Sequence, residues 1–284
     1  GQSLAEMYDM RASSAVAFSD GMHPVQSPGV FLKALQYVKA FDGILIQIPI
    51  DKTIAANGLM HEGIVSTQMG LPGLPAVAEE LMVKRDIDLL RYTGSKLHIT
   101  GVSSATTIEL IRAAKKEGLA VTADVSINSL HLSDHDIGYF DSRARVTPVL
   151  RQQRDRDALR AALADGTIDV LVSDHTPVDV DAKALPFAEA ESGATGLELL
   201  LSLSLKWAND SKVSMLRALE VLTSQPAKVL GKIEGQSESM GQLHVGGVAD
   251  LVVFDPAIEW QVTPDALHSQ GKHTPFAFDM TGMS

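Results

Sequence analysis

The stretch Ile168-Asp169-Val170-Leu171-Val172-Ser173-Asp174-His175-Thr176-Pro177 decides the fold. Residues 168–172 are almost wholly apolar, a run of the length that suits a strand buried on both faces, and the run stops at Ser-Asp followed by turn-forming residues. Runs of the same kind recur at 43–48, 97–102 and 119–125. Between them lie helical patterns. In 106–116, Ile108, Leu110, Ile111 and Ala114 give an apolar face, and in 155–164, Leu159 and Leu163 stand one turn apart. Strand alternating with helix, jointed by Gly and polar residues, implies parallel strands in a wound α/β sheet or a barrel, and the reading taken here is a TIM-like (β/α)8 barrel. From Gly241 the texture changes to Gly-Gln-Leu-His-Val-Gly-Gly-Val-Ala-Asp-Leu-Val-Val-Phe-Asp-Pro, short strands joined by Gly turns. Residues 1–240 are therefore expected to form the barrel and 241–284 part of a small β subdomain.

Composition narrows the partners. The chain is 45% hydrophobic with only 5% aromatics, enough for a large aliphatic core. Its formal net charge of −11 opposes nucleic acid and anionic membrane surfaces, since both would be repelled before short contacts form. No run approaches the ~20 apolar residues of a membrane span, and the first residues lack the pattern of a signal peptide, which points to the cytoplasm. Without cysteine, a metal site must be built mainly from His and carboxylates.

In a barrel, chemistry collects where strands end. Asp20, Asp51 and Asp174 each follow an apolar run. Asp174 could act as a general base or metal ligand, because a partly desolvated carboxylate has an easily tuned pKa; equally, it could cap the next turn. His131 and His135 have the i, i+4 spacing of some metal sites, but are expected to be solvated surface residues. His23, His61, His244 and His268 stand singly and receive no role. No Gly-x-Ser-x-Gly elbow is present, and Gly246-Gly247 lacks the lysine of a phosphate loop.

One ordered set of motifs is specific. It comprises Gly70-Leu71-Pro72-Gly73-Leu74-Pro75, Ala78-Glu79-Glu80, Lys84-Arg85-Asp86-Ile87, His98-Ile99-Thr100-Gly101-Val102-Ser103, Asp165-Gly166-Thr167-Ile168-Asp169, Ser173-Asp174-His175-Thr176-Pro177, Gly196-Leu197-Glu198, Ala249-Asp250-Leu251 and His273-Thr274-Pro275-Phe276. Together these resemble dihydroorotase of the multifunctional-complex type, a zinc amidohydrolase of pyrimidine biosynthesis, and the resemblance runs through nearly the whole chain.

The resemblance implies a metal centre that this sequence has largely lost. Ile48, in Ile48-Pro49-Ile50-Asp51, stands where the family's His-x-Glu-Asp has a ligand, and Gly101 stands at the ligand His of His-x-x-His-Val-Ser. Asp174 keeps the place of the catalytic aspartate, and Asp20 matches a further ligand, so two carboxylates remain as remnants. Substrate-binding positions are changed as well: Thr147 replaces Asn, Val178 replaces His, Ser192-Gly193 replaces Phe-Gly, and Ile127-Asn128-Ser129 replaces Pro-His-His. The N-terminus resembles an internal family segment, so the first strands and the His-x-His motif are expected to be missing from this chain.

The resemblance thus implies a non-catalytic homologue, without a cofactor, that acts as a scaffold for aspartate transcarbamoylase. A homo-oligomer or a bound N-terminal fragment would be further partners. The competing expectation is a working zinc-dependent hydrolase of dihydroorotate or another cyclic amide, with ligands supplied from outside this chain.

Overall fold

The computed structural model describes residues 1–231 and 240–276, and the backbone of 281–283. Its strands are β1 (Phe18–Ser19), β2 (Ile44–Gln47), β3 (Met60–His61), β4 (Gly73–Leu74), β5 (Lys96–Ile99), β6 (Val121–Ser126), β7 (Val170–Val172), β8 (Glu259–Gln261) and β9 (Thr281–Met283). Five of them form one parallel sheet in the order β1-β2-β5-β6-β7, with Leu45 opposite Leu97, Ile99 opposite Ala123 and Val125 opposite Leu171. The strands stay in chain order. A doubly wound sheet reverses its order at a switch point, whereas a barrel wall does not, so the sheet has barrel-wall topology as expected. An isolated parallel bridge between His175 and Ala194 lies just beyond β7.

The four apolar runs read from sequence coincide with β2, β5, β6 and β7 to within a few residues at each end. Between strands run the helices Pro28–Lys39, Val77–Thr93, Ala105–Lys116 and Gln153–Asp165, each packed on the next. Local chemistry sets their limits. Ser27 accepts from the Val30 amide with Pro28 in the first turn, Ser104 accepts from the Thr106 amide, and Gly94 and Gly166 close their helices in the left-handed conformation. In Ala105–Lys116 the buried positions are Thr107, Ile108, Ile111 and Ala114, the stripe expected of an amphipathic helix. Leu35, Val38, Leu97, Ile99, Val125, Leu163 and Trp207 belong to one continuous core.

Two smaller ladders flank the sheet: β3 pairs with β4 in parallel, and β8 pairs with β9 antiparallel. The strands expected just after Gly241 are instead turns and irregular chain, with Leu243, Val245, Val252 and Val253 exposed. A strand exists only where its amides find a ladder, and this segment has none among the described residues.

Candidate functional site

Parallel strands deliver their C-terminal ends to one side of the sheet, and there a cavity of about 320 Å³ opens. Its floor is Asp124 and Ser126 of β6 with Val172 and Asp174 at the end of β7; Thr100 and Gly101 follow β5, and Ile48 follows β2. Leu74, Ile50 and Leu59 close one side, and the loop carrying Arg145, Thr147, Val149 and Arg151 closes another with Ser192.

Asp124 is 3% exposed, and a charge buried so deeply needs partners. It has three: His98 Nε2 at 3.0 Å, Thr100 Oγ1 at 2.7 Å and the Gly101 amide at 2.7 Å. The register that sets His98 opposite Thr122 also sets His98 Nδ1 2.8 Å from the Thr122 hydroxyl. Asp124 was not picked out from the sequence. A carboxylate amid the apolar residues of β6 was the available signal, because a strand buried on both faces tolerates a charge only when the fold supplies donors.

Asp174 differs. Its backbone is left-handed at φ 48°, uncommon for a residue with a Cβ and least costly for Asn and Asp. Asn128 donates to its carboxyl group. Burial, then the nearby charge of Asp124, push its pKa up to about 7, against the opposing effect of the Asn128 hydrogen bond. Near neutral pH it is shared between acid and carboxylate.

A third carboxylate of the cavity lining is fully engaged. Glu79, 4% exposed, accepts from the amides of Ser103 and Ser104, both at 3.0 Å, and from the Ser103 hydroxyl. Arg151 Nε donates to Ser103 Oγ at 3.0 Å and Nη1 to the Leu74 carbonyl at 2.8 Å, while Nη2 lies 3.8 Å from Glu79. His61 sits 3.3 Å from Arg151 Nη1, and burial followed by the Arg151 charge lowers its pKa to about 4.

Of the positions expected from sequence, the cavity brings together Ile48, Gly101, Thr147, Asp174 and Ser192. Thr147 Oγ1 and Ser192 Oγ share a hydrogen bond of 2.7 Å. Gly193 and Val178 lie behind this wall and do not line the cavity: Val178 is buried, and a Cβ on Gly193 would fall 2.5 Å from the Thr176 carbonyl. Asp20 follows β1, at the opposite edge of the sheet from Asp174, where it borders a separate cavity of about 110 Å³. Among the described residues, no group of three or more His, Asp or Glu is placed to hold a metal ion.

One expectation is corrected. His131 is not a solvated surface residue. It is 7% exposed, its Nε2 lies 2.9 Å from the Leu203 carbonyl, its ring meets Phe276 edge-on, and burial lowers its pKa to about 3. The short helix Ile127–His131 packs on the helix Leu200–Ser211, which comes from a distant part of the chain. His135 is exposed, so the two imidazoles share no site.

Comparison with known proteins agrees with this architecture. Residues 5–283 match the model of the amidohydrolase family. The chain is 39% identical to a protein named dihydroorotase from Syntrophus aciditrophicus (strain SB) over 97% of its own length and 63% of that protein's. It is 40% identical to another of that name from Desulfotalea psychrophila, over 97% of its length and 64% of that protein's. The chain therefore spans less than two thirds of the curated relatives it matches. Among solved structures, L-hydantoinase (dihydropyrimidinase) from Arthrobacter aurescens superposes with a TM-score of 0.84 at 27% identity, over 98% of this chain and 64% of that one. The sheet in chain order, the cavity at its C-terminal ends and the family match converge: the chain belongs to the amidohydrolase family.

Proposed function

We propose that this chain is a dihydroorotase-like amidohydrolase of pyrimidine biosynthesis whose zinc centre is degenerate, so that it does not catalyse, and that it serves as a partner of aspartate transcarbamoylase. The observation that carries this reading is the side-chain set at the strand ends facing the cavity. Ile48 and Gly101, at positions where the resemblance puts histidine ligands, have no donor atom, and Asp124 already accepts three hydrogen bonds. Asp20 opens on another cavity. Zinc sites take about four ligands, or three and a water, so Asp174 with an occupied Asp124 does not fit the ion. No catalytic step is derived through it. What these residues can do without a metal is hold a proton at Asp174 and present hydroxyls at Thr147 and Ser192.

Retention of Asp174 keeps a second reading open to test, a hydrolase completed by ligands from outside this chain. The experiment is metal content of the purified full-length protein, with dihydroorotate hydrolysis assayed on the same sample before and after added zinc. The expected result is no stoichiometric zinc and no turnover, with co-elution of aspartate transcarbamoylase on size exclusion. Stoichiometric zinc with chelator-sensitive turnover would overturn the non-catalytic reading; failure of the two proteins to co-elute would overturn the scaffold.

A further inference from the structure

Beyond β7 the chain leaves the sheet and returns to it at one place: the Thr176 amide donates to the Ala194 carbonyl at 2.9 Å, beside the bridge between His175 and Ala194. Residues 177–193 are thus a compact excursion whose ends meet. It contains the short helix Val180–Ala184, and of its side chains only Phe187 belongs to the continuous core. A seam of hydrogen bonds holds it to the neighbouring loop 142–147. Ser142 Oγ donates to the Lys183 carbonyl at 2.6 Å, Arg145 Nη1 to the carbonyls of Phe187 at 2.8 Å and Ala188 at 3.1 Å, and the Gly193 amide to the Arg145 carbonyl at 3.0 Å. The Thr147–Ser192 bond, on the cavity side, closes the same seam. A segment with one core anchor and a polar seam opens at lower cost than the core, and Gly193 at φ 145° gives its return limb a backbone freedom that other residues lack.

A cation lies inside this seam. Lys183, 1% exposed, donates from Nζ to the carbonyls of Arg145 at 2.9 Å and Glu191 at 2.8 Å, so one ammonium joins the outgoing limb, the return limb and the loop. Carbonyls satisfy its protons without neutralising its charge. The charged and titratable groups facing it are Arg145 and Asp141 of the loop, Asp141 bringing its partner Arg143, Glu191 of the return limb, and His273. Burial, then the Arg145 charge, lower the Lys183 pKa to about 8, against the pull of Asp141 and Glu191. Burial and the Lys183 charge likewise lower the pKa of His273, which is neutral from pH 7 upward.

We propose that residues 177–193 are a flap that opens as one unit about Thr176 and Ala194, and that opening draws the Lys183 ammonium from its carbonyl cradle into water, so that the flap is a proton-coupled gate on the cavity wall formed by Thr147 and Ser192. In water the amine regains its ordinary value of 10.5, so between about 8 and 10.5 the open form holds a proton that the closed form has released. Opening is favoured as pH falls through that window, and the flap tightens as pH rises. The gate goes beyond the function proposed above and does not depend on it, since opening is read without turnover.

The 284 residues include no cysteine, so a single introduced thiol reports opening. Ala190, 2% exposed on the return limb, is replaced (Ala190→Cys), and its reaction with an aromatic disulfide reagent is timed at pH 7 and pH 9, each rate divided by that of the urea-unfolded chain at the same pH. The corrected rate is expected to fall at least about fivefold between the two. Lys183→Gln, which keeps donors but does not titrate, and Lys183→Met should each abolish the fall; should one of them misfold, the other decides. Asp174 also titrates near pH 7, and a contribution from it would survive in both variants. Ala208→Cys, at a position 4% exposed in the helix Leu200–Ser211, should show no such fall in the parent. A thiol at 190 as reactive as in the unfolded chain, a corrected rate independent of pH, a fall that persists in the Lys183 variants, or an equal fall at 208 would overturn the gate.

Discussion

Two carboxylates of the same cavity, the buried Glu79 and the half-buried Asp174, have opposite surroundings. Glu79 receives two amides, one hydroxyl and the charge of Arg151, and thereby ties the start of the helix Val77–Thr93 to the turn after β5 and to the loop that roofs the cavity. Asp174 receives one side-chain donor, carries a strained backbone and faces a second carboxylate. A carboxylate that is fully satisfied holds a fold together. One that is left short of donors costs stability and keeps its protonation adjustable, the state of affairs in which side chains bind ligands or move protons. The contrast makes Asp174 the titratable carboxyl of this cavity and Glu79 a structural tie.

The largest effect should come from the satisfied side. Glu79→Ala leaves Arg151, itself 4% exposed, as a buried charge without its acid, and strands the Ser103 and Ser104 amides. Loss of one partner of a buried pair costs roughly 3–5 kcal/mol, and urea unfolding should show that loss at neutral pH. A change below about 1 kcal/mol would mean that solvent or neighbouring groups replace Glu79, and the comparison would fail on its structural side.

The opposite sign is expected at Asp174. Its pKa rises from 3.8 to about 7 on folding, so between those values the folded state holds a proton that the unfolded state has released. Stability from this group is therefore greatest at low pH and falls as pH rises through that window. Asn is isosteric, tolerates the same left-handed backbone and carries no charge. Asp174→Asn should leave stability unchanged near pH 4 and raise it by on the order of 2 kcal/mol near pH 8, after allowance for solvent screening. Asp86, pushed to about 7 by burial against the pull of Arg85, bends the same curve, so the difference between variant and parent is what isolates Asp174. A variant less stable than the parent at high pH would place Asp174 among the supports.

How much of this the sequence revealed follows from what each feature depends on. Apolar runs of strand length announce themselves, and four of the five sheet strands were legible because a strand buried on both faces has a continuous apolar face on each side. The end of β7 as a site was legible for the same reason: a carboxylate closing such a run is conspicuous. Asp124 was not, since its meaning lies in the register that brings His98, Thr100 and the Gly101 amide to it from the neighbouring strand. Asp20 and Asp174 looked alike as strand-end acids, yet β1 and β7 occupy opposite edges of the five-stranded sheet, and sheet order is not written in either segment. His131 misled because the helix that buries it, Leu200–Ser211, lies some seventy residues away, and local spacing carries no trace of that contact.

The smallest predicted effect sharpens the comparison at the point where the two sides meet. Gly101 follows β5, gives its amide to Asp124, and takes φ 73°, where only glycine is unstrained. A Cβ there would meet Pro148 at 3.6 Å, an ordinary contact, so the backbone alone sets the cost. Gly101→Ala should therefore destabilise by about 1 kcal/mol in urea unfolding, far less than Glu79→Ala. The pH-dependent gain of Asp174→Asn should persist in the double variant if the strain at 101 and the charge at 174 are independent. If instead the gain disappears, Gly101 sets the position of Asp124 closely enough to govern the repulsion felt by Asp174, and the two sites are energetically coupled.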